Sequence, residues 1–271
     1  MDRLDPPRVQ AILTTRVFGH DLVFLPCTGS TNDVAKCRAV QGAPEGMVVL
    51  TDEQTAGRGR MGRHWSAPPG TCLLCSILFR PTLPLAHANR LTMLCSLAAA
   101  DAVEEAAGLR TALKWPNDLI VQSPTSNLRP PKWKKLAGIL TETGIVGEQL
   151  AFVVVGIGIN VNVGPKVLPT LAPDATSILA ETGREVDRAA LLAILLMEVE
   201  SRYTRLQAGK SPHVEWAARL ATLNQPVEAT TSEGTLTGVA ESVDEDGALL
   251  LRTPDGKLHR LIAGDVTLAR V

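Results

Sequence analysis

The chain has 271 residues, 45% of them hydrophobic, with 28 acidic and 27 basic side chains and a formal net charge of −1. That length supports one large domain and a small one. The charge balance excludes bulk electrostatic binding to nucleic acid or to an anionic membrane, and no apolar run is long enough to span a bilayer.

The N-terminal Met1-Asp2-Arg3-Leu4-Asp5-Pro6-Pro7 does not have the pattern of a signal peptide. Cys27, Cys37, Cys72, Cys75 and Cys95 form an odd set without secretory context, so reduced thiols and a cytoplasmic location are expected. A short helix is predicted over residues 6–17, followed by an extended piece from Asp21 to Leu25. Gly29-Ser30-Thr31-Asn32-Asp33 then has the chemistry of a helix N-cap, leading into Val34-Ala35-Lys36-Cys37.

The apolar strand Met47-Val48-Val49-Leu50 runs into the most informative stretch, Gln54 to Trp65. There Arg58, Arg60 and Arg63 alternate with Gly57, Gly59 and Gly62, and Trp65 ends the run. Glycine lets backbone approach a ligand, arginine offers a charged fork for phosphate oxygens, and the indole gives a flat face for a base. The run lacks the ending of a Walker A loop and the context of a dinucleotide Gly-x-Gly-x-x-Gly. A second apolar strand, Thr71 to Phe79, follows it, so this is an internal loop rather than an RNA-tethering tail. Cys72 and Cys75 have redox or zinc spacing, but strand alternation sends them to opposite faces and core packing is expected.

A long helical pattern covers about Ala86 to Ala107. Leu113 to Val121 is extended and contains Lys114-Trp115-Pro116-Asn117-Asp118, where Asp118 is either a hard oxygen ligand for Mg²⁺ and phosphates or part of an ordinary Asn-Asp turn. The polar connection 122–134 is expected to be an exposed hairpin extension. Lys135 opens the strand Lys135 to Glu142, as a solvated end or as a point charge against carboxylate or phosphate, with Gly138 open to close approach. In the strand Leu150 to Asn162, Gly156 and Gly158 mark a β-bulge or a bare wall for a flat ligand, beside Asn160. Helices are expected over about 187–208 and 211–221.

From Leu223 onward, short apolar runs alternate with the turn signals Ser232-Glu233-Gly234, Asp244 to Gly247 and Pro254-Asp255-Gly256. The chain is therefore expected to divide into a mixed α/β domain, 1–222, and a small antiparallel β-barrel or sandwich, 223–271. Neither Gly-x-Ser-x-Gly nor His-Glu-x-x-His occurs, which removes support for a serine nucleophile or a zinc hydrolase.

Four segments in this order resemble the biotin–protein ligases (biotin–[acetyl-CoA-carboxylase] ligases): Gly29 to Asn32, Gln54 to Trp65, Lys114 to Asp118 with Lys135 to Leu140, and Gly156 to Asn160. The resemblance implies an α/β (α+β) fold, a mixed-sheet ligase domain shared with lipoate ligases and related to class II synthetases, followed by an SH3-like β-barrel. It implies ATP-dependent activation of biotin to biotinyl-5′-AMP and transfer to a lysine of a biotin carboxyl carrier domain, such as that of acetyl-CoA carboxylase, with Mg²⁺ assisting. Ser30, Thr31, Asn32 and Gln54 would hydrogen-bond or flank biotin, and Gly138, Leu140, Gly156 and Gly158 would line its slot. Gly57, Arg58, Gly59 and Arg60 would wrap the carboxylate and phosphate, with Lys135 at their junction. Arg58, Arg60 and Lys135 are thus the implied catalytic set. Arg63, Trp65, Asn117 and Asn160 would serve the nucleotide, and Asp118 the metal.

Bifunctional family members carry an N-terminal DNA-binding domain. Here about twenty residues precede the ligase pattern, so a monofunctional ligase without DNA or membrane binding is expected, and a homodimer is compatible with it. A lipoate–protein ligase is the alternative within the superfamily, and a nucleic-acid-binding regulator the alternative outside it.

Overall fold

Strands rich in Val, Leu and Ile, apolar on both faces, form the centre of the molecule. The computed structural model describes residues 4–122, 133–231 and 234–268. In chain order come α1 (Pro6–Ile12), β1 (Leu22–Thr28), α2 (Thr31–Val40), β2 (Val48–Gln54), β3 (Cys72–Phe79) and α3 (Asn89–Ala107). Next are β4 (Ala112–Lys114), β5 (Asp118–Gln122), β6 (Trp133–Val146) and β7 (Gln149–Asn160). Four helices follow: α4 (Leu168–Leu171), α5 (Ile178–Thr182), α6 (Arg188–Gln207) and α7 (His213–Ala218). The seven strands lie in the order β1-β2-β3-β7-β6-β5-β4, with β1 and β2 parallel and the other neighbours antiparallel.

Successive strand side chains leave on opposite faces. On β3, Leu73, Cys75, Ile77 and Phe79 enter the main core beneath α3 and α6, while Leu78 packs under α2 and Cys72 and Leu74 join a third cluster. Cys72 and Cys75 thus point apart, and burial pushes their thiols up to about 11 and about 12, which keeps both protonated at neutral pH. On β7, Val153, Val155, Ile157 and Ile159 face the main core, and Phe152 and Val154 face α2. The next two residues on that second face are Gly156 and Gly158.

Several expected elements are shorter or divided. Helix α1 stops at Ile12; beyond it the N–H groups of Arg16, Val17 and Phe18 converge on the Glu200 carboxylate at 2.7, 2.8 and 3.1 Å. That convergence fixes a non-helical path. The segment 113–121 is two strands about a Trp-Pro-Asn turn, because Pro116 has no N–H for a ladder and Trp115 N donates to Thr222 Oγ1 at 3.0 Å. The Trp115–Pro116 peptide is cis. Ser30 sits at the N-cap of α2 with extended backbone, but its hydroxyl makes no capping bond. The connection expected as a hairpin extension lies, over 123–132, outside the described residues. Helices α4 and α5 were not expected, although α5 carries local signals: Ser177 Oγ accepts from Ala180 N, and Gly183 closes the helix at φ 72°.

The last strands are β8 (Pro226–Thr231), β9 (Gly234–Val243), β10 (Leu249–Arg252), β11 (Leu258–Leu261) and β12 (Asp265–Leu268). They form an antiparallel sheet in the order β11-β10-β9-β8-β12, with turns at the expected Asp-Gly signals, where Gly247 and Gly256 have φ of 80° and 83°. Val227, Ala229, Leu249, Leu251 and Val266 belong to the same buried cluster as the larger sheet. The β9–β10 turn seats on the start of α3: Trp115 Nε1 and Asn89 Nδ2 donate to Gly247 O and Asp246 O, each at 2.8 Å, and Arg90 Nε donates to Asp246 Oδ1 at 3.1 Å.

Candidate active site

The open face of β3, β7 and β6 carries a cleft of about 890 Å³. Gly138 opposes Gly158 across β6 and β7, and Leu140 opposes Gly156, so bare backbone floors part of it. A Cβ added at Gly158 would meet the Trp65 indole at 2.7 and 2.8 Å, and one at Gly138 would meet it at 3.0 Å. A Cβ at Gly156 would collide with the Asn32 amide. Pairing runs unshifted through these residues, so the glycines form a wall and not a bulge.

A polar group closes one end of the slot. Gln54 Oε1 accepts from Thr31 N at 2.9 Å and from Thr31 Oγ1 at 3.1 Å. Ser76 Oγ lies 2.7 Å from Thr31 Oγ1 and 2.6 Å from Asn32 Oδ1, and Asn32 Nδ2 donates to Glu142 Oε2 at 2.7 Å. Ser30, Thr31 and Asn32 are all buried here, which explains the Ser-Thr-Asn run at the start of α2 better than capping does.

The Arg/Gly loop is a tight hairpin. Trp65 N donates to Gly57 O at 2.9 Å and Gly59 N donates to Arg63 O at 2.7 Å, while Met61 at the tip is left-handed at φ 54°. Gly57 does not line the cleft; a Cβ there would strike the Trp65 carbonyl, so its role is to let the hairpin close. Each arginine goes to a different element. Arg58 binds Asp33 on α2 bidentately at 2.7 and 2.9 Å and reaches Glu142 on β6 at 3.1 Å, beside Lys36, whose Nζ is 2.6 Å from Glu142. The hydrogen bond that Arg58 donates to Asp33 raises the Arg58 pKa. Half-buried Arg60 points inward; burial lowers its pKa while Asp118 and Asp265 oppose that. Exposed Arg63 pairs with Asp265 of the C-terminal sheet.

Lys135 Nζ lies 2.6 Å from Asp118 Oδ1 and 5.7 Å from the Trp65 ring centroid. Asn117 Nδ2 donates to Ile139 O at 2.6 Å, and Asn160 Nδ2 donates to Thr176 O at 2.9 Å, so both amides brace the walls they line. The indole Nε1 of Trp65 is buried without a hydrogen-bond partner among the described residues. Beneath the loop, fully buried Arg188 bonds Asp52 Oδ1 at 2.8 Å and Cys72 O at 3.1 Å, tying the two ends of the loop together.

Every residue expected at the site except Gly57 lines this one cleft. Sequence inspection missed Asp33, Glu142, Ser76, Arg188 and Asp265. Asp33 adjoins the Ser-Thr-Asn run and was within reach of a local argument; the others meet their partners only through the fold.

The sequence matches the profile of the "Biotin/lipoate A/B protein ligase family" over residues 24–160 and that of the "Biotin protein ligase C terminal domain" over 222–268. It is 35% identical over 269 residues to the bifunctional ligase/repressor BirA of Bacillus subtilis, covering 98% of this chain and 79% of that protein. It is 32% identical over 281 residues to the biotin–[acetyl-CoA-carboxylase] ligase of Mycobacterium tuberculosis, covering 99% and 98%. The structure resembles that of the biotin protein ligase from Aquifex aeolicus in complex with biotin and ATP, with TM-score 0.74, 27% identity and coverage of 93% and 100%.

Proposed function

The chain belongs to the biotin/lipoate A/B protein ligase family, and from that premise we propose that its cleft joins biotin to ATP as biotinyl-5′-AMP and passes the biotinyl group to a carrier lysine. One observation carries the reading: Gly138, Gly156 and Gly158, with the Trp65 indole and the Asn32 amide packed against them, line the same cleft as Arg60 and Lys135. An apolar bicyclic acid lies flat on such a floor, and its carboxylate ends at the cations. The Thr31–Gln54–Asn32 group suits the polar ureido end. Arg63 and Trp65 border the side left for the nucleotide.

The reaction brings two anions together: the carboxylate attacks the α-phosphorus of ATP, the new O–P bond forms as the bond to the β-phosphate oxygen breaks, and pyrophosphate leaves with that electron pair. Arg60 and Lys135 offset that repulsion and the charge that develops on the phosphoryl oxygens. Holding both substrates in one cleft supplies much of the remaining rate. Arg58, expected at the phosphate, already engages Asp33 bidentately; its part in this reading is to fix the hairpin on α2. In the second step a neutral amine attacks the mixed anhydride. A C–N bond forms, the C–O bond to phosphate breaks, AMP leaves with that electron pair, and the surplus amine proton goes to water. No covalent enzyme intermediate is required.

Mg²⁺ fits the reading as an ion carried in with the nucleotide. Among the described residues no group of three or more His, Cys, Asp or Glu side chains is arranged to hold a metal, and Asp118 offers one carboxylate in the cleft. That is the pattern of an ion held mostly by phosphates, where it supplies charge neutralisation. The SH3-like form of the C-terminal sheet, the boundary at 222/223, and ligase action without DNA binding belong to the same proposal. The near-zero net charge supports the last, since Arg58 and Arg63 are engaged by carboxylates.

The test is ATP–pyrophosphate exchange with and without biotin, with lipoate as a parallel arm. Exchange that depends on biotin and ignores lipoate is expected. Exchange driven equally by lipoate would overturn the choice of acid.

A further inference from the structure

Asp265 reaches the cleft from the far end of the chain. On β12, Val266 is fully buried, so alternation turns Asp265 and Thr267 into the cleft wall. The strand is fixed there: Asp265 is in register with Thr230, and a Cβ at the preceding Gly264 would meet Thr230 O at 2.8 Å. Asp265 pairs with Arg63, as Asp118 pairs with Lys135. Two cations placed for phosphates are therefore each held by a carboxylate from another element. A polyphosphate tail carries more charge than one carboxylate and competes for the same guanidinium fork.

We infer that Asp265 exchanges Arg63 for the ammonium group of the incoming carrier lysine once the nucleotide has drawn Arg63 away, so that the C-terminal sheet admits the acceptor only to a loaded cleft. This rests on the ligase reading above. The acceptor arrives as a cation, since a lysine has an ordinary pKa of about 10.4. Arg60, Lys114 and Lys135 repel it; of the carboxylates lining the cleft, Asp118 is paired with Lys135 and Asp174 lies beyond it in the loop before α5, so Asp265 is the one that departure of Arg63 frees. Burial alone would raise the Asp265 pKa, but the hydrogen bond from Arg63 together with the charges of Arg63, Lys114 and Lys135 outweighs it and holds the carboxyl below the usual carboxylate range. Asp265 thus works as a fixed charge and not as a base. The ammonium releases its proton to water before the attack described above.

The test is Asp265→Asn, assayed in biotin-dependent exchange and in transfer to a carrier domain. Removing Arg63's competing partner should lower KM for ATP about two- to fivefold, the range of an exposed ion pair. Removing the amine's partner should raise KM for the carrier about tenfold. Opposite movements of the two constants are not a consequence of mere destabilisation. Asp265→Glu should restore the carrier KM. A carrier KM within twofold of wild type, or both constants moving together, overturns the proposal. If the Asn variant does not fold, Arg63→Gln decides: KM for ATP rises while KM for carrier rises no further than wild type, and a rise in both overturns it. Failure of the ligase reading is separate, as absence of biotin-dependent exchange in the wild-type chain.

Discussion

Arg60 differs from its charged neighbours in burial: Arg58, Arg63 and Lys135 are each paired with a carboxylate from another element, whereas half-buried Arg60 feels Asp118 and Asp265 across the cleft. Once the adenylate has formed, a charge-assisted fork to its phosphate contributes about 1.5–3 kcal/mol, or roughly ten- to hundredfold in retention. Arg60→Gly should therefore release the mixed anhydride before the carrier consumes it. Streptavidin blotting of a reaction containing carrier and an unrelated lysine-rich protein should show label on both; label confined to the carrier at a normal rate would show that Arg60 does not retain the intermediate. Lys135→Ala should instead suppress formation of the adenylate by about a hundredfold or more, as expected when a cation at the reacting charges is lost. Its side chain is part-exposed, so thermal stability should shift by about 1 kcal/mol or less. Exchange within a few-fold of wild type would reassign this lysine to its ion pair with Asp118.

At the scale of elements, the clamp between the Arg/Gly hairpin, α2 and β6 is pH-dependent. Burial would raise the Asp33 and Glu142 carboxyls, but hydrogen bonds from Arg58 and Lys36 to Asp33, and from Lys36 and Asn32 to Glu142, hold both below their ordinary 3.8 and 4.5. A depressed carboxylate contributes stability that is complete above its ordinary value and is lost as pH falls through its folded value. Hydrogen-exchange protection of the Gly59 and Trp65 amides, both bonded within the hairpin, should hold steady at neutral pH and fall as pH drops below 4.5. Asp33→Asn with Glu142→Gln should remove that dependence. Protection unchanged down to about pH 3 would mean that the hairpin stands without these pairs. The strands and long helices were legible because their signals are local, as where a two-residue strand period puts Gly156 and Gly158 on one face, whereas the short α4 and α5 offered too few residues for a period. The clamp was not legible, because Arg58 and Glu142 are 84 residues apart and any of the chain's other carboxylates would have served as well on paper.

At the scale of the molecule, the two sheets share one buried cluster, and polar bonds seal the seam. Truncation after Ala221 removes the acceptor of the fully buried Trp115 indole and the partner of Asn89. Leaving one buried donor unpaired costs about 1–3 kcal/mol, and exposing the apolar side chains that faced β8 to β12 adds to it. The truncated chain should fold with a clearly lowered Tm and lose carrier ligation. A Tm equal to that of the full chain would show that the sheets fold independently. Composition marked this second unit near Leu223, since hairpin turns at Asp-Gly signals are local chemistry. It did not reveal that the unit reaches back into the cleft: Arg63 and Asp265 meet across 202 residues.

The floor at Gly138, Gly156 and Gly158 makes ligand choice a matter of atoms left out. No residue is smaller than glycine, so no substitution at those three positions deepens the slot, and every substitution fills it. Mutation can narrow the range of accepted acids in a single step at any of them, whereas widening it has to come from the side chains around the floor, Leu140 and Trp65 foremost. The route to a bulkier substrate is correspondingly longer than the route to losing the present one.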